Sequence, residues 1–326
     1  MRRASPNKIN VLAALILGVL PLIFPEDFLR VLCLGAIYSI ASLGMSLLLG
    51  YTGQISLGQA AFLGIGAYTT AILTTRFNWP VILAFFISFL ISSFIAFIVG
   101  KPVLRTKGYF LALATLGFGE IFYVFVCRTD PIIGGLFGIG GVPYFSIAGY
   151  EFSSYVQIYY LDWAILFGLL LYSQNIVNSR IGRAFRAIST DEVAASATGI
   201  DVTRLKLKAF VISGGYAGIA GSLLSTYLST AQPHGYQVDL SIFIVLAVIV
   251  GGLGNLWGSI VATVVLTWLK DEQLSRYQEY SALIYGIIII LALIFIPQGI
   301  GPLKQRYISS WKLELLGRKF KLIFKR

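Results

Sequence analysis

Apolar runs of about 20 residues recur along the whole chain, separated by short polar or glycine-rich interruptions. Such runs match the length of a membrane-spanning helix, whereas membrane-spanning strands would alternate apolar and polar residues over about 10 positions. The pattern therefore predicts an all-α, polytopic membrane helical bundle of roughly eight to ten membrane helices, some of them broken or re-entrant. We expect residues 1–326 to form a single transmembrane domain, with one long polar loop at residues 179–208.

Composition and charge agree with this class. The chain has 57% hydrophobic residues and a mean hydropathy of +0.82, values too apolar for a soluble domain. Its net charge of +11 comes from basic residues at helix ends and in a basic tail at residues 303–326. Because these residues are not gathered on one compact domain, they indicate membrane topology and contact with the lipid bilayer rather than binding of nucleic acid.

The distribution of basic residues predicts the orientation. Arg2, Arg3 and Lys8 precede an apolar run at residues 9–24 that no small-residue cleavage site follows, which indicates a retained first helix with a cytoplasmic start. The positive-inside rule places the 179–208 loop and both termini in the cytoplasm. The chain is therefore expected to be a multi-pass membrane protein with both termini in the cytoplasm.

A first interruption, at residues 51–54, is followed by a run with an unusual share of small and polar residues. Gln54, Ser56 and Gln59 lie at or just after the interruption, where amide and hydroxyl groups inside a bilayer need partners or water. These three residues are candidates for the lining of a translocation pathway. The alternative is that they only form hydrogen bonds between helices.

A second interruption, at residues 251–255, divides an apolar run into halves of about 11 and 14 residues, each shorter than a ~30 Å membrane core requires. A single crossing would leave the basic tail outside the cell, so we prefer a pair of segments that dip in and return, with residues 270–276 external. Broken helices place unpaired backbone groups next to cavities in transporters. Gly254 and Asn255 are therefore further pathway candidates.

Two acidic residues lie inside predicted membrane helices, Glu120 and Asp162. A carboxyl group at the depth of Glu120 is costly, so we expect it to face the protein interior or a cavity and to belong to the pathway. The alternative is a protonated carboxyl group that holds two helices together.

The polar loop contains the signals of a short helix. Ser189 and Glu192 have the spacing of a capping box, Ala194 and Ala195 favour helix without bulk, and Gly199 suits the left-handed residue that ends a helix. We therefore expect a helix at residues 190–198, with Asp201 capping the helix that follows. The physical signals alone fit equally a docking element or an ordinary soluble connection.

Signatures of catalysis are missing from the sequence. It contains no Gly-Lys-Ser/Thr phosphate loop, no Ser/His/Asp triad and no His or Cys cluster with metal-ligand spacing. We therefore expect a subunit that is not an enzyme and binds no cofactor. A polar path together with an ordered surface helix suggests transport that is energised by a separate protein.

Four segments, in order, resemble the inner-membrane permease subunits of ABC importers for branched-chain amino acids. They are GYTGQISLGQAAF at 50–62, TLGFGEI at 115–121, GRAFRAI at 182–188 and GGLGNLWG at 251–258. The resemblance implies a second homologous permease subunit, two cytoplasmic ATPase subunits and an extracytoplasmic amino-acid-binding protein.

The same resemblance makes the polar loop the coupling helix, which follows the pattern E-A-A-x-x-x-G in importers. Residues 193–199 read VAASATG here, and the acidic residue stands one position earlier, at Glu192. The residues implied in ATPase coupling are Glu192, Val193, Ala194, Ala195 and Gly199.

Three other functions remain open at this stage. Within the same family, urea or a short-chain amide could be the substrate, since a separate binding protein would select it. A secondary transporter would need an ion site, for which Glu120 and Asp162 are the available acids, and a channel would account for the broken helices but not for the ordered loop.

Overall fold

The computed structural model describes residues 10, 17, 18, 20, 21, 25–106, 108–129, 133–147 and 150–270. The predicted first helix at 9–24 lies mostly outside these residues. The basic tail at 303–326 and residues 271–276 of the expected external segment lie wholly outside them.

Ten α-helices account for most of the described chain. They are α1 (Glu26–Met45, continued by a π-helical turn, Ser46–Gly50), α2 (Gln59–Thr75), α3 (Val81–Val103), α4 (Tyr109–Arg128), α5 (Tyr155–Asn178), α6 (Arg180–Thr190), α7 (Glu192–Ala197), α8 (Val202–Leu228), α9 (Val238–Gly251) and α10 (Leu256–Trp268). Two short 3-10 turns, Gly135–Phe137 and Pro233–Tyr236, lie in the connections.

Six described segments are long and apolar enough to cross a membrane, so the predicted all-α polytopic class is confirmed and the chain is a multi-pass membrane protein. These segments are Glu26–Gly50, Val81–Val103, Tyr109–Arg128, Tyr155–Asn178, Val202–Leu228 and Pro233–Gly251. The shorter α2 and α10 pack among them.

Very short strands order the connections at one end of the bundle. β1 (Ile139–Gly140) pairs antiparallel with β4 (Thr230–Ala231), and β2 (Ser146–Ile147) pairs with β3 (Tyr150–Glu151). The first pair ties the connection between α4 and α5 to the end of α8. The connection between α4 and α5 is thus ordered where the structure describes it.

Helix α8 is the central element, and glycines let its neighbours approach it closely. It packs against α1, α2 and α3. A Cβ atom added to Gly221 would overlap the Leu63 carbonyl of α2, and one added to Gly218 would lie 2.5 Å from the Ser92 Cβ of α3. Gly66 of α2 likewise faces the Gly218 backbone. The small residues of α8 therefore form an interhelical contact surface.

Hydroxyl groups also join α2, α3 and α8 inside the bundle. The Thr70 Oγ1 of α2 lies 2.7 Å from both the Ser88 Oγ of α3 and the Ser222 Oγ of α8. One turn away, the Ser92 Oγ donates to the Gly214 carbonyl at 2.7 Å. All of these hydroxyls are buried, so each satisfies polar groups that have no access to water.

The α8 contact predicts a stability difference between two glycine-to-alanine changes. Gly221→Ala should lower the free energy of unfolding by about 2 kcal/mol, because its methyl group must displace the α2 backbone. Gly168→Ala on α5 is the matched control: nothing lies within 4 Å of its added Cβ, and we expect a change below about 1 kcal/mol. Thermal unfolding in detergent, followed by tryptophan fluorescence, measures both, and equal midpoints would contradict the close packing.

Candidate translocation and coupling site

The polar loop folds into two helices rather than one. The buried Gly182, Phe185 and Ile188 repeat at helical spacing and carry α6 through Ser189 to Thr190. The next cap is therefore Asp191, whose Oδ1 accepts hydrogen bonds from the backbone N–H of Val193 at 2.8 Å and of Ala194 at 3.0 Å. The predicted capping role of Ser189 is wrong, and the short helix α7 is Glu192–Ala197 rather than 190–198.

The end of α7 matches the sequence prediction. Gly199 has a φ of +83°, in the left-handed region, and the backbone N–H of Ile200 bonds back to the Ala195 carbonyl at 3.3 Å. Asp201 caps α8, as predicted, by accepting from the backbone N–H of Arg204 at 2.9 Å. Helix α7 is thus bounded by a carboxylate cap before it and a glycine turn after it.

An ion pair holds α7 against α8. The Lys206 ammonium group of α8 contacts the Glu192 carboxylate of α7, and the whole lysine is 8% exposed. Because Lys206 is nearly buried, the pair is less screened by solvent than a surface pair. Glu192 is therefore engaged within the chain, where it positions α7.

The alanine face of α7 points partly inward. Ala195, one of the residues implied in ATPase coupling, is 4% exposed and packs inside the chain, so its methyl group is not available to a partner surface. The physical reason is that Glu192 and Ala195, one turn apart, both face the body of the protein. Val193, which is 76% exposed, Ala194 and Ala197 form the outward surface.

Three polar side chains at or just after the first interruption have different surroundings. The Gln59 amide group donates to the Ser213 carbonyl at 3.2 Å and accepts from the Ser213 hydroxyl at 3.3 Å, which supports the interhelical alternative for this residue. The Ser56 hydroxyl accepts from the Gly58 backbone at 3.4 Å in a local turn. Gln54 is 3% exposed, and neither amide atom has a hydrogen-bond partner in the described chain.

The second interruption is a tight reversal between α9 and α10. Gly252 and Gly254 have φ values of +100° and +78°, the Gly251 and Gly258 backbones touch, and the two helices pack against each other. The predicted return of the chain is therefore found. With the preceding 3-10 turn, however, the first half reaches 19 residues, so the expectation that neither half could span by itself is wrong for that half.

The two interruptions are in direct contact. The Tyr51 hydroxyl donates to the Gly254 carbonyl at 2.6 Å, and a Cβ atom on Gly50 would lie 2.6 Å from the Gly254 nitrogen. Asn255 caps α10 through its Oδ1, which accepts from the Gly258 backbone at 3.2 Å. Tyr51 was not among the predicted site residues, although its place inside an interruption of an apolar run is the signal that marks it.

Glu120 lies on the surface of this chain. It is exposed on α4, next to Ile121 at 70% exposure and among other exposed apolar residues, so of the two expected surroundings, the protein interior or a cavity, the interior of this chain is ruled out. Helix α4 contacts the first interruption, since the Leu57 backbone N–H donates to the Thr115 hydroxyl at 2.9 Å. Gly119, the neighbour of Glu120, also approaches this segment, since a Cβ atom added to it would lie 3.8 Å from the Leu57 carbonyl oxygen.

Asp162, the other acid in a membrane helix, is instead buried. It is 1% exposed on α5, and one carboxyl oxygen has no hydrogen-bond partner in the described part of the chain. Helix α5 packs on α1, α6 and α10, whereas α4 packs on α2, α3 and α9. The two acids therefore lie on different sides of the bundle and do not form a joint ion site.

Comparison with known proteins identifies the family. The model of the branched-chain amino acid transport system / permease component family matches residues 28–293. The chain is 32% identical over 323 residues to the high-affinity branched-chain amino acid transport system permease protein LivM of Salmonella typhimurium and to that of Escherichia coli, covering 92% of this chain and 76% of each relative. The chain belongs to this permease family.

The relatives include a second type of permease. The LivH permease protein of Escherichia coli is 24% identical over 303 residues, covering 86% of this chain and 96% of the relative. No solved structure matches the chain. In this permease, the short helix, the two joined interruptions and the α4 surface are therefore interpreted on their own geometry.

The ion pair generates a prediction for the permease loop. Glu192→Gln and Lys206→Gln should each reduce the hydrogen-exchange protection of the α7 amides, and each change should cost about 1 kcal/mol of local stability because Glu192 is partly exposed. The exchanged pair, Glu192→Lys with Lys206→Glu, should restore much of the protection. Unchanged exchange in both single variants would show that the pair does not hold α7 in place.

Proposed function

We propose that this chain is a transmembrane permease subunit of an ATP-driven importer for branched-chain amino acids. The observation that carries the proposal is the ordered helix α7, which is capped at both ends, pinned to the central helix α8 and exposes Val193 to a partner. The substrate class is taken from the relatives, which are branched-chain amino acid transport system permease proteins. The orientation proposed is that of the positive-inside rule, with α6, α7 and both termini in the cytoplasm.

The coupling proposal assigns α7 to a groove on one of two cytoplasmic ATPase subunits. Val193, Ala194 and Ala197 offer small or branched apolar side chains at the surface, while Glu192, Ala195 and Gly199 fix the position and end of the helix. Because Glu192 is bonded to Lys206 on α8, movement of α7 would be transmitted to the helix that packs on α1, α2 and α3. Coupling then needs no catalytic group in this chain.

A second, homologous permease subunit is proposed to cover α4. The face of α4 that contains Glu120 is rich in exposed apolar side chains, and a carboxylate in direct contact with lipid would be costly. Contact with another permease subunit, with a water-filled path between the two, removes that cost. LivM and LivH of Escherichia coli carry the same transport-system name as separate permease proteins, which supports two different subunits.

The translocation pathway proposed runs along this interface. Glu120 and Gln54 are its most strongly supported residues, because Glu120 is exposed on α4 and the Gln54 amide group has no partner in the described chain. Ser56 lies just after the first interruption, next to Leu57, which contacts α4. Gln59, Gly254 and Asn255 support the pathway through hydrogen bonding and backbone packing. An extracytoplasmic amino-acid-binding protein would deliver the substrate from the opposite side.

Photo-crosslinking tests the subunit interface. In a background without Cys33 and Cys127, Ile121→Cys labelled with a benzophenone maleimide should crosslink to the second permease subunit. Phe94→Cys on α3 is the matched control: its side chain is 62% exposed, compared with 70% for Ile121, on a plain apolar face that we expect to contact lipid. Crosslinks from Phe94 and none from Ile121 would place the partner on the other surface.

Uptake by the reconstituted complex tests the function. The full-length chain and the subunits that copurify with it by affinity are reconstituted together in proteoliposomes. These proteoliposomes should accumulate radiolabelled leucine, isoleucine or valine only when ATP is supplied. Val193→Glu should lose uptake and ATPase retention at unchanged membrane level, because it places a charge at an apolar contact, whereas Val193→Thr, with nearly the same shape, should keep most of both.

Two outcomes would contradict this proposal. Accumulation driven by a proton or sodium gradient without ATP would indicate a secondary transporter. ATP-dependent uptake of urea or acetamide, with none of leucine, isoleucine or valine, would keep the coupling mechanism and replace the substrate class.

A further inference from the structure

Two cavities adjoin on the side of the bundle away from α4. One, of about 430 Å³, has a polar lining that includes Gln174, Asn178, Arg186 and Asn255. The other, of about 280 Å³, is lined by Trp163 and by apolar side chains such as Leu32, Ile260 and Val264. Trp257 lines both. The two cavities therefore form neighbouring parts of one surface, polar at one end and apolar at the other.

The two cavities extend along the axes of α5 and α10. On α5, Gln174 at the polar end and Trp163 at the apolar end are separated by about 16 Å at 1.5 Å per residue. On α10, Asn255 and Val265 are separated by about 15 Å in the same way. A groove of this length, about half of a ~30 Å membrane core, suits an extended hydrocarbon chain within one leaflet.

The polar end is suited to an anion. Arg186 is the one charged side chain among the described lining residues, which include the amides of Gln174, Asn178 and Asn255 but no carboxylate. One Arg186 N–H donates to the Val177 carbonyl at 3.0 Å, which positions the guanidinium group and leaves other N–H groups for a ligand. Asn10 borders the same place, through hydrogen bonds to the Gln174 and Trp257 side chains.

Helix α6 is arranged as at a membrane surface. Gly182, Phe185 and Ile188 are buried against the protein, while Arg180, Arg183 and Arg186 are on the exposed side. An amphipathic helix with a basic outer face is typical of contact with anionic head groups. The positive charge of the polar end and of α6 is therefore complementary to the head group of an anionic phospholipid.

We propose that an anionic phospholipid binds here, with its phosphate at Arg186 and one acyl chain in the apolar groove between α5 and α10. The assignment to the cytoplasmic leaflet rests on the proposed orientation of the permease. Bound in this way, the lipid connects α6, which leads directly into α7, with the α9–α10 hairpin. The site is separate from the α4 surface proposed for the second subunit, and its polar end is also lined by Tyr51 and Gly254, through which the two interruptions contact each other.

Tryptophan quenching by brominated lipid tests the site on the full chain in nanodiscs. In a background with Trp79, Trp268 and Trp311 replaced by phenylalanine, the remaining Trp163 and Trp257 report on the two cavities. The discs contain the same small fraction of either brominated phosphatidylglycerol or brominated phosphatidylcholine. We expect about fivefold stronger apparent binding of phosphatidylglycerol, the effect of one basic residue near a membrane surface.

Matched variants separate the head group from the chain. Arg186→Gln should reduce the preference for phosphatidylglycerol over phosphatidylcholine to below about twofold, whereas Arg186→Lys should retain it. The control Arg183→Gln, one turn away on α6 and outside the cavity lining, should also retain it. Val261→Phe, which fills the apolar groove, should weaken quenching by both lipids.

Three results would overturn the proposal: equal quenching by the two lipids, an equal loss of preference in Arg183→Gln and Arg186→Gln, or protection from quenching by added leucine, which would make the cavity a substrate site. The assay contains no ATPase and no transport step. Failure of ATP-dependent uptake would therefore leave these results unchanged, and the two proposals can fail separately.

Discussion

The close approach of α8 to α2 and α3 is the constraint on which the rest of the structure depends. Lipid offers no hydrophobic driving force between apolar helices, so the bundle is held by backbone proximity and buried hydroxyl pairs. Gly218 and Gly221 allow that proximity, and Thr70 connects all three helices through its hydroxyl group. With α8 set in this way, its start at Val202 and the loop before it have a defined place at the bundle surface.

Because of that placement, the short polar loop is an ordered helix in a fixed position. A six-residue helix is too short to be stable in water by itself, because helix nucleation is costly. Here α7 is stabilised from three directions: Asp191 caps its start, Gly199 ends it, and Lys206 binds Glu192 from α8. The consequence is a rigid connection between the surface of α7 and the most central helix, which a soluble, flexible connection would not provide.

Polar groups within the bundle divide into those that are satisfied and those that are not. Gln59 and Asn255 have the polar character of pathway residues. The hydrogen bonds of Gln59, however, join two helices, and those of Asn255 cap α10. Gln54 remains without a partner in the described chain, and Glu120 is exposed on an apolar face. Glu120 therefore points to water or a partner protein beside α4, whereas the Arg186 cavity adjoins α5 and α10.

The sequence by itself determined the helical class, the two interruptions, the left-handed glycine at position 199 and the cap at Asp201, because length, periodicity and local hydrogen bonding decide these features within a few residues. It also indicated the coupling segment and the family. Tertiary structure alone decided that Ala195 faces inward, that Asp191 rather than Ser189 begins α7, that Gln59 is satisfied and that Glu120 is exposed. Each of these depends on how a helix is rotated against neighbours distant in the chain, and a local pattern contains no information about that rotation.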